Sequence, residues 1–160
     1  MASADGAAPG GRLLDTLDLW FEEFQLGDRF ETGGRTITEQ DVLDFARLSG
    51  DHNPLHVDAE FARTTRFGQR IVHGFLTLSV TGGLRYPLCG DRLVALYGLD
   101  RIRMTRPTLI GDTVHVEGEV VRLTPKDAGG VVTFEEEVVN QRGERVALFE
   151  RSALYRRQPA

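Results

Sequence analysis

Hydrophobic and polar positions alternate in the second half of the chain, and this alternation predicts β-strands. Val114, Val116 and Val120 recur at the even spacing that buries one face of a strand. Clusters of glycine, aspartate and other turn-forming residues separate the alternating segments. We therefore predict four strands, at residues 93–106, 113–123, 131–140 and 145–155.

The first half of the chain has a helical pattern instead. Apolar residues recur there at the spacing of one helix face, at Val42, Phe45, Ala46 and Leu48. Thr38 is expected to cap the start of this helix, and Gly50 is expected to end it. A residue before proline avoids the helical region, so Asn53 and Pro54 should be extended or in a turn. Asp58 could then cap a second short helix.

The longest apolar segment, at residues 75–84, has the length and composition of a buried helix that begins at Gly74. A strand at residues 29–36, interrupted by Gly33 and Gly34, precedes all the helices. The order is therefore strand, helices, buried helix and four antiparallel strands. This order predicts an α+β fold in which a curved sheet of about five strands wraps around one long central helix.

The composition is that of one ordinary globular domain. The chain has 160 residues, of which 41% are apolar and 27% are charged. We interpret residues 1–15, which begin rich in alanine and glycine, as a disordered N-terminal tail and residues 16–157 as a single domain. The net charge of -5 argues against a general nucleic-acid binder, whose domain would be basic.

The cellular location is predicted from what the sequence contains. Cys89 is the single cysteine, so the chain can form no intrachain disulfide and fits a reducing compartment. The N-terminus lacks the basic and then apolar pattern of a signal peptide. No apolar segment reaches the roughly 20 residues that a membrane span needs. We therefore expect a cytoplasmic protein without a membrane partner.

The candidate chemistry lies in the turn after the first helix. Asp51 and His56 stand five residues apart, on either side of Asn53 and Pro54. A carboxylate and an imidazole suit acid/base work, because histidine titrates near neutral pH and the carboxylate can share a water with it. The same residue types are common in plain turns. A metal site of His56 and Asp58 would lack further ligands at supporting spacing, so no metal or other cofactor is predicted.

A second candidate feature is Gly74, at the start of the buried helix. The first N–H groups of a helix have no partner within it, and the dipole is positive there. Glycine lets a ligand approach the backbone closely. Such a site could stabilise the oxygen of an enolate, although Gly74 could equally serve close packing.

These two features together resemble the MaoC-like family of (R)-specific enoyl-CoA hydratases. The resemblance is carried by SGDHNPLHVDAEFA at residues 49–62 and FGQRIVHGFLTLS at residues 67–79, and it extends over residues 21–155. It implies the hot-dog fold. It matches Asp51 and His56 to the catalytic pair, Asn53 to a residue that holds the loop, and Gly74 to the glycine whose N–H binds the thioester carbonyl.

The resemblance also implies the reaction and the partners. The reaction is the addition of water to a trans-2-enoyl thioester to give a (R)-3-hydroxyacyl thioester, or its reverse, on an acyl-CoA or acyl-ACP substrate. A homodimer or dimer of dimers is implied, with the site at or near the dimer interface. Open alternatives are a (3R)-hydroxyacyl-ACP dehydratase and a non-catalytic hot-dog partner subunit. A thioesterase shares the fold, but residues 75–84 lack the acidic residue it would need.

Some neighbouring positions leave the substrate open. Gly82 stands where some relatives carry a serine close to the active site, which puts the acyl group in doubt more than the reaction class. His73 is expected to be mainly structural. Two groups of arginines could meet the phosphates of CoA or an acidic carrier protein, or could simply be solvated: Arg63, Arg66 and Arg70, and Arg101, Arg103 and Arg106.

Overall fold

Four long antiparallel strands form the body of the sheet in the computed structural model, which describes residues 11–159. They are β4 (Leu93–Met104), β5 (Thr113–Lys126), β6 (Gly129–Asn140) and β7 (Arg145–Tyr155). Three short strands extend the sheet: β1 (Leu13–Leu14), β2 (Arg29–Glu31) and β3 (Arg35–Thr36). The order across the sheet is β1-β2-β5-β6-β7-β4, and β3 pairs with β5.

The predicted fold class and the four long strands are confirmed, whereas the strand count differs. Across residues 11–159 the sheet has seven strands, where about five were predicted. The predicted first strand is divided at Gly33 and Gly34 into β2 and β3, which pair with different parts of β5. The remaining addition is β1, which runs parallel to β2.

The first helix has the predicted ends. Helix α1 (Glu39–Ser49) begins after Thr38, whose side-chain oxygen accepts the N–H of Asp41 at 3.2 Å. It ends at Gly50, which has the left-handed φ of 78° that glycine tolerates. Helix α3 (Ala59–Arg63) is capped by Asp58, also as predicted.

Asn53 is non-helical as predicted, with φ -54° and ψ 127°, whereas Pro54 begins a short helix, α2 (Pro54–Val57), that was not predicted. The side-chain oxygen of Asn53 accepts the N–H of Leu55 at 3.0 Å, which caps this helix. Proline suits the first helical position, because the N–H that it lacks would have no partner there.

Helix α4 (Gly74–Arg85) is the predicted buried helix, and the sheet wraps around it. Its apolar residues Leu76, Val80 and Leu84 belong to one core cluster with Phe134 and Phe149 of the sheet. Burial of such side chains is worth roughly 1.5–3 kcal/mol each. This is the hot-dog arrangement that the resemblance implied.

The core also contains charged groups, which no pattern in the sequence predicted. Arg85 of α4 forms an ion pair with the fully buried Glu136 of β6. Arg151 of β7 contacts the same carboxylate at 3.2 Å. The Arg85 guanidinium lies over the rings of Phe30 and Phe134, at 4.9 and 4.7 Å from their centroids. Because a lone buried charge is costly, each member of this cluster requires the others.

Ordered structure begins before the predicted end of the N-terminal tail. Leu13–Leu14 pair with β2, and Arg12 forms a salt bridge of 2.6 Å with the buried Asp28. The predicted tail thus includes a short strand at the sheet edge, while the boundary between tail and domain stays a prediction. Residues 1–10 of that tail lie outside the described residues. Among residues 11–159, no helix is long and apolar enough to cross a membrane.

Candidate active site

The end of α1 presents the carboxylate of Asp51. The N–H of Gly50 donates to the carbonyl of Ala46 at 2.9 Å and closes the helix. One carboxylate oxygen of Asp51 accepts the N–H of Asn53 at 3.2 Å. The side chain is otherwise exposed, so its remaining lone pairs are free to accept further hydrogen bonds.

Helix α2 carries His56 and orients its ring. The ring nitrogen Nδ1 lies 2.8 Å from the carbonyl oxygen of Ile71. Because a carbonyl can only accept a hydrogen bond, the proton of the neutral ring is on Nδ1, and Nε2 keeps a free lone pair. A ring nitrogen of His56 lies within 4.8 Å of a carboxylate oxygen of Asp51. One water that donates to two acceptors at ordinary hydrogen-bond lengths spans about this distance.

Gly74 lies at the start of α4, on a cavity that it shares with His56. Its N–H belongs to the first helical turn and is not capped by the side chain of His73. A Cβ at this position would lie 3.2 Å from Cε of Met104, so glycine lets Met104 pack closely against the start of α4. The cavity of about 240 Å³ is lined by His56, Arg66, Phe67, Ile71, Val72, Gly74, Thr77, Met104, Thr105, Arg106, Pro107 and Thr108.

The structure therefore places some of the predicted site residues in one cavity and others outside it. His56 and Gly74 line one cavity, whereas Asp51 does not line it but has a carboxylate oxygen within 4.8 Å of a ring nitrogen of His56. Asn53 does not line that cavity and instead caps α2. Its side chain thus supports the turn between the two candidate acid/base groups.

His73 contacts both candidate acid/base residues directly, whereas the sequence indicated a mainly structural role. Its ring stacks on that of His56, with centroids 3.9 Å apart and an interplanar angle of 29°. Its Nε2 donates to the backbone carbonyl of Asp51 at 2.9 Å. The sequence offers one signal for this role, the position of His73 beside Gly74. No sequence signal identified the carbonyl of Ile71 or the side chain of Met104.

The arrangement of possible metal ligands can be judged from the same geometry. Asp51, His56 and His73 place a carboxylate oxygen and two ring nitrogens within 4.8 Å of one another. The lone pair of an imidazole nitrogen lies in the plane of its ring. The stacked rings of His56 and His73 therefore direct their lone pairs side by side, so the two do not converge on one ion at the usual metal–nitrogen distance of about 2.0–2.1 Å. Asp58 caps α3 through the N–H groups of Glu60 and Phe61. A reaction without a metal stays our prediction.

The six arginines separate into two sets. Arg66 and Arg106 line the cavity that contains His56. Three others are paired with acidic side chains: Arg63 with Glu60, Arg70 with Glu39, and Arg101 with Glu150. Arg106 at the cavity also lies near a carboxylate, 3.9 Å from Glu144. Arg103 donates to the carbonyl of Ile102. Only the first set is therefore positioned near the candidate acid/base pair.

The space beside Gly82 is open, because a Cβ there would meet no atom within 4 Å. The nearby hydroxyls are used elsewhere. Ser79 donates to the carbonyl of Phe75, and Thr81 donates to the carbonyl of Leu78 and accepts from Arg151. Neither hydroxyl replaces the serine that some relatives carry at this position.

Comparison with known sequences relates the chain to one family. Residues 23–141 match the sequence model of the family described as "MaoC like domain". The "3-hydroxybutyryl-CoA dehydratase" of Methylorubrum extorquens is 38% identical over 68% of this chain and 68% of that protein. The "(R)-specific enoyl-CoA hydratase" of Rhodospirillum rubrum is 37% identical over 67% of this chain and 73% of that protein. "Protein MaoC" of Klebsiella aerogenes is 40% identical, but the chain spans only 32% of its length.

Solved structures share the fold over most of the chain. The "Monoamine oxidase regulatory protein from Archaeoglobus fulgius" has a TM-score of 0.83 and 39% identity, over 93% of this chain and 99% of that one. The unliganded "R-Hydratase PhaJ1 from Pseudomonas aeruginosa" has a TM-score of 0.74 and 32% identity, over 88% of each chain. The likeness therefore includes both the sheet and the helices that carry the candidate site.

Proposed function

Because the chain belongs to the MaoC-like domain family, we propose that it is a hydro-lyase that adds water to a trans-2-enoyl thioester, or catalyses the reverse reaction. The product of hydration would be a (R)-3-hydroxyacyl thioester. One observation carries the proposal: the carboxylate of Asp51 lies within bridging distance of His56, beside a cavity that also contains the start of α4. A pair of acceptors of this kind can hold one water and direct its oxygen at a substrate.

The proposed roles follow from the hydrogen bonds of the site. His56 donates through Nδ1 to Ile71, so its Nε2 can accept a proton from the bound water as the oxygen attacks C3. The proton that arrives at C2 is delivered through the Asp51–His56 pair, which ends in its starting protonation state. The N–H of Gly74 would stabilise the negative charge that develops on the thioester oxygen.

The first prediction concerns the two acid/base groups. Asp51→Asn and His56→Ala should each lower kcat for hydration of crotonyl-CoA by about 100-fold or more, because a positioned acid/base group contributes roughly 10²–10⁴-fold. The rate is followed by the loss of absorbance of the enoyl thioester. Chiral analysis of the product tests the (R) configuration.

His52→Ala is the matched control for these variants. His52 lies in the same turn but is exposed and faces a different cavity, so its replacement should leave the rate unchanged. Circular dichroism establishes that each variant is folded. Near-normal hydration by folded Asp51→Asn and His56→Ala variants would contradict the proposed roles.

The arginines at the cavity favour CoA as the carrier of the acyl group. Arg66 and Arg106 are exposed side chains that line the same cavity as His56. Guanidinium groups bind phosphate well, and CoA offers more phosphate groups than the phosphopantetheine arm of a carrier protein. The same assay with acyl-CoA, acyl-ACP and a phosphate-free pantetheine thioester distinguishes these carriers, and a panel of acyl chains defines the acyl group.

We further propose that two copies of the chain associate through β4. Within residues 11–159, this 12-residue strand lies at the edge of the sheet and pairs with β7 alone, so the backbone groups along its other side have no strand partner there. Several of its large apolar side chains are exposed: Val94, Leu96, Tyr97, Leu99 and Met104. A second copy paired with this edge would cover both the backbone groups and the apolar side chains.

The proposed chemistry is compatible with the predicted cellular context. Addition of water transfers only a proton and a hydroxyl group, so it needs neither a redox cofactor nor a group carrier within the protein. Cys89 is a free, half-buried thiol, which suits a reducing compartment. We therefore retain the cytoplasm as the expected location.

A further inference from the structure

His73 makes contact with both groups of the proposed acid/base pair, although it is almost completely buried. Its exposed fraction is 1%. It directly precedes α4 and lies 22 residues after Asp51 in the chain. Two different parts of its ring are used: the edge meets the backbone of Asp51, and the face meets the ring of His56.

The edge contact determines which nitrogen of His73 carries the proton. Nε2 lies 2.9 Å from the carbonyl oxygen of Asp51, which can only accept a hydrogen bond. The proton of the neutral ring is therefore on Nε2. Nδ1 has no hydrogen-bond partner within residues 11–159. His73 thus donates one hydrogen bond, and that bond connects the start of α4 to the turn that presents Asp51.

The face contact restricts the ring of His56. The ring of His73 contacts two other rings, with its centroid 3.9 Å from that of His56 and 5.0 Å from that of Phe45. His56 is in addition held at Nδ1 by the carbonyl of Ile71. Rotation of the His56 ring would therefore break both the hydrogen bond and the stack.

From these contacts we infer that His73 is a positioning residue, which sets the separation of Asp51 and His56 and the orientation of the His56 ring. The inference rests on the proposed hydration reaction. It goes beyond that reaction in giving a role to a third residue, which is buried and does not line the cavity. A displacement of about 1 Å in a reacting group can lower a rate by about 100-fold, so such a residue affects kcat strongly.

Two substitutions separate the two contacts. His73→Gln retains an N–H group that can reach the carbonyl of Asp51 but removes the aromatic face. His73→Phe retains the face and removes the donor. Each should lower kcat for crotonyl-CoA by about 10- to 100-fold and leave KM within about twofold, because the cavity and Gly74 remain unchanged.

The control for general destabilisation is Val80→Ala. Val80 is a buried residue of α4 six positions after Gly74, so this variant should melt at a lower temperature and keep its kcat per folded molecule. A double variant tests whether His73 acts through His56. In a His56→Ala background, His73→Phe should lower the residual rate by less than twofold.

A spectroscopic measurement keeps the inference testable even if a variant does not fold. In the unmodified protein, two-bond ¹H–¹⁵N spectra at pH 7 should show the neutral His56 ring protonated at Nδ1 and the neutral His73 ring protonated at Nε2. In His73→Phe, the His56 ring should become a mixture of tautomers. The opposite tautomers in the unmodified protein, or kcat values within twofold of normal for both His73 variants, would overturn the inference. Absence of hydration by the unmodified protein would refute the proposed function, whereas the spectra would still test His73.

Discussion

Asn53 illustrates how a single residue, through its backbone and its side chain, connects two parts of the candidate site. Its backbone N–H donates to the carboxylate of Asp51, and its side-chain oxygen accepts the N–H of Leu55. The first contact holds the carboxylate, and the second starts the helix that carries His56. The spacing of Asp51 and His56 therefore depends on one residue that touches both elements without entering the cavity.

Replacement of Asn53 should lower both the stability of the protein and the rate of hydration. Asn53→Ala removes the cap of α2 and should lower the free energy of unfolding by about 1 kcal/mol, within a usual range of roughly 0.5–2 kcal/mol. We expect kcat to fall roughly tenfold, because His56 loses its defined position. Asn53→Asp is the control, since aspartate is an equally good cap. Urea unfolding and hydration kinetics provide the measurements, and an Asn53→Ala variant as stable as the unmodified protein would refute this account.

At the scale of elements, Asp112 joins the loops at one end of the sheet. Its buried carboxylate accepts hydrogen bonds from the N–H of Leu109 at 2.9 Å, from Gln141 at 3.0 Å and from Arg142 at 2.8 Å. Leu109 in turn forms a β-bridge with Ile71, the residue whose carbonyl holds His56. Through Leu109 and Ile71, the loop before β5 therefore helps to hold the His56 ring in place.

This junction should make the stability of the protein depend on acid pH. Burial by itself raises the pKa of Asp112, but the hydrogen bonds from Arg142, Leu109 and Gln141 outweigh it and hold the pKa below its usual value. A lowered pKa contributes stability above the unfolded value of about 3.9, and this stability is lost as the pH falls through the folded pKa.

Asp112→Asn is the test of this pH dependence. The variant should be less stable at pH 7 by about 1–3 kcal/mol, because buried donors lose a charged acceptor. Its free energy of unfolding should fall less steeply than that of the unmodified protein below about pH 4. Urea unfolding from pH 7 to pH 3 measures both slopes, with the exposed Asp15→Asn variant as a control. Parallel curves for the unmodified protein and Asp112→Asn would contradict the expectation.

At the scale of the whole molecule, the two edges of the sheet differ. One edge is β1, which has two residues, and the other is β4, which has 12 residues and exposed apolar side chains. Long apolar edges promote association between chains. An association through β4 would also lie close to the cavity, because Met104 at the end of β4 is one of its lining residues.

Charged substitutions at the two edges test this difference. Leu96→Lys on β4 places a charge on a side chain that is 55% exposed, and it should convert a dimer into a monomer. Leu13→Lys on β1, at a side chain that is 71% exposed, is the matched control and should leave the dimer intact. Sedimentation equilibrium measures the mass of each variant. A Leu96→Lys variant that remains dimeric would exclude β4 as the interface.

Much of the fold could be predicted because its signals are local. Thr38 starts α1 and Gly50 ends it through contacts within a few residues. The alternation in β5 repeats at every second position. The short helix α2 was not predicted, because proline has opposite effects on helix formation. It disfavours helical backbone at the residue before it, but it favours the first position of a helix. The signal at Pro54 was therefore local but ambiguous.

The sequence by itself determined the α+β class, the buried helix, and the candidate set of Asp51, His56, Asn53 and Gly74, since motif spacing and residue chemistry are properties of short segments. Only the tertiary structure decided which groups touch. In the folded protein, His73 stacks on His56, the carbonyl of Ile71 accepts a hydrogen bond from the His56 ring, and Arg85 pairs with Glu136 inside the core. Such contacts join segments far apart in the chain, and the way the sheet closes around α4, rather than any local pattern, determines which of them form.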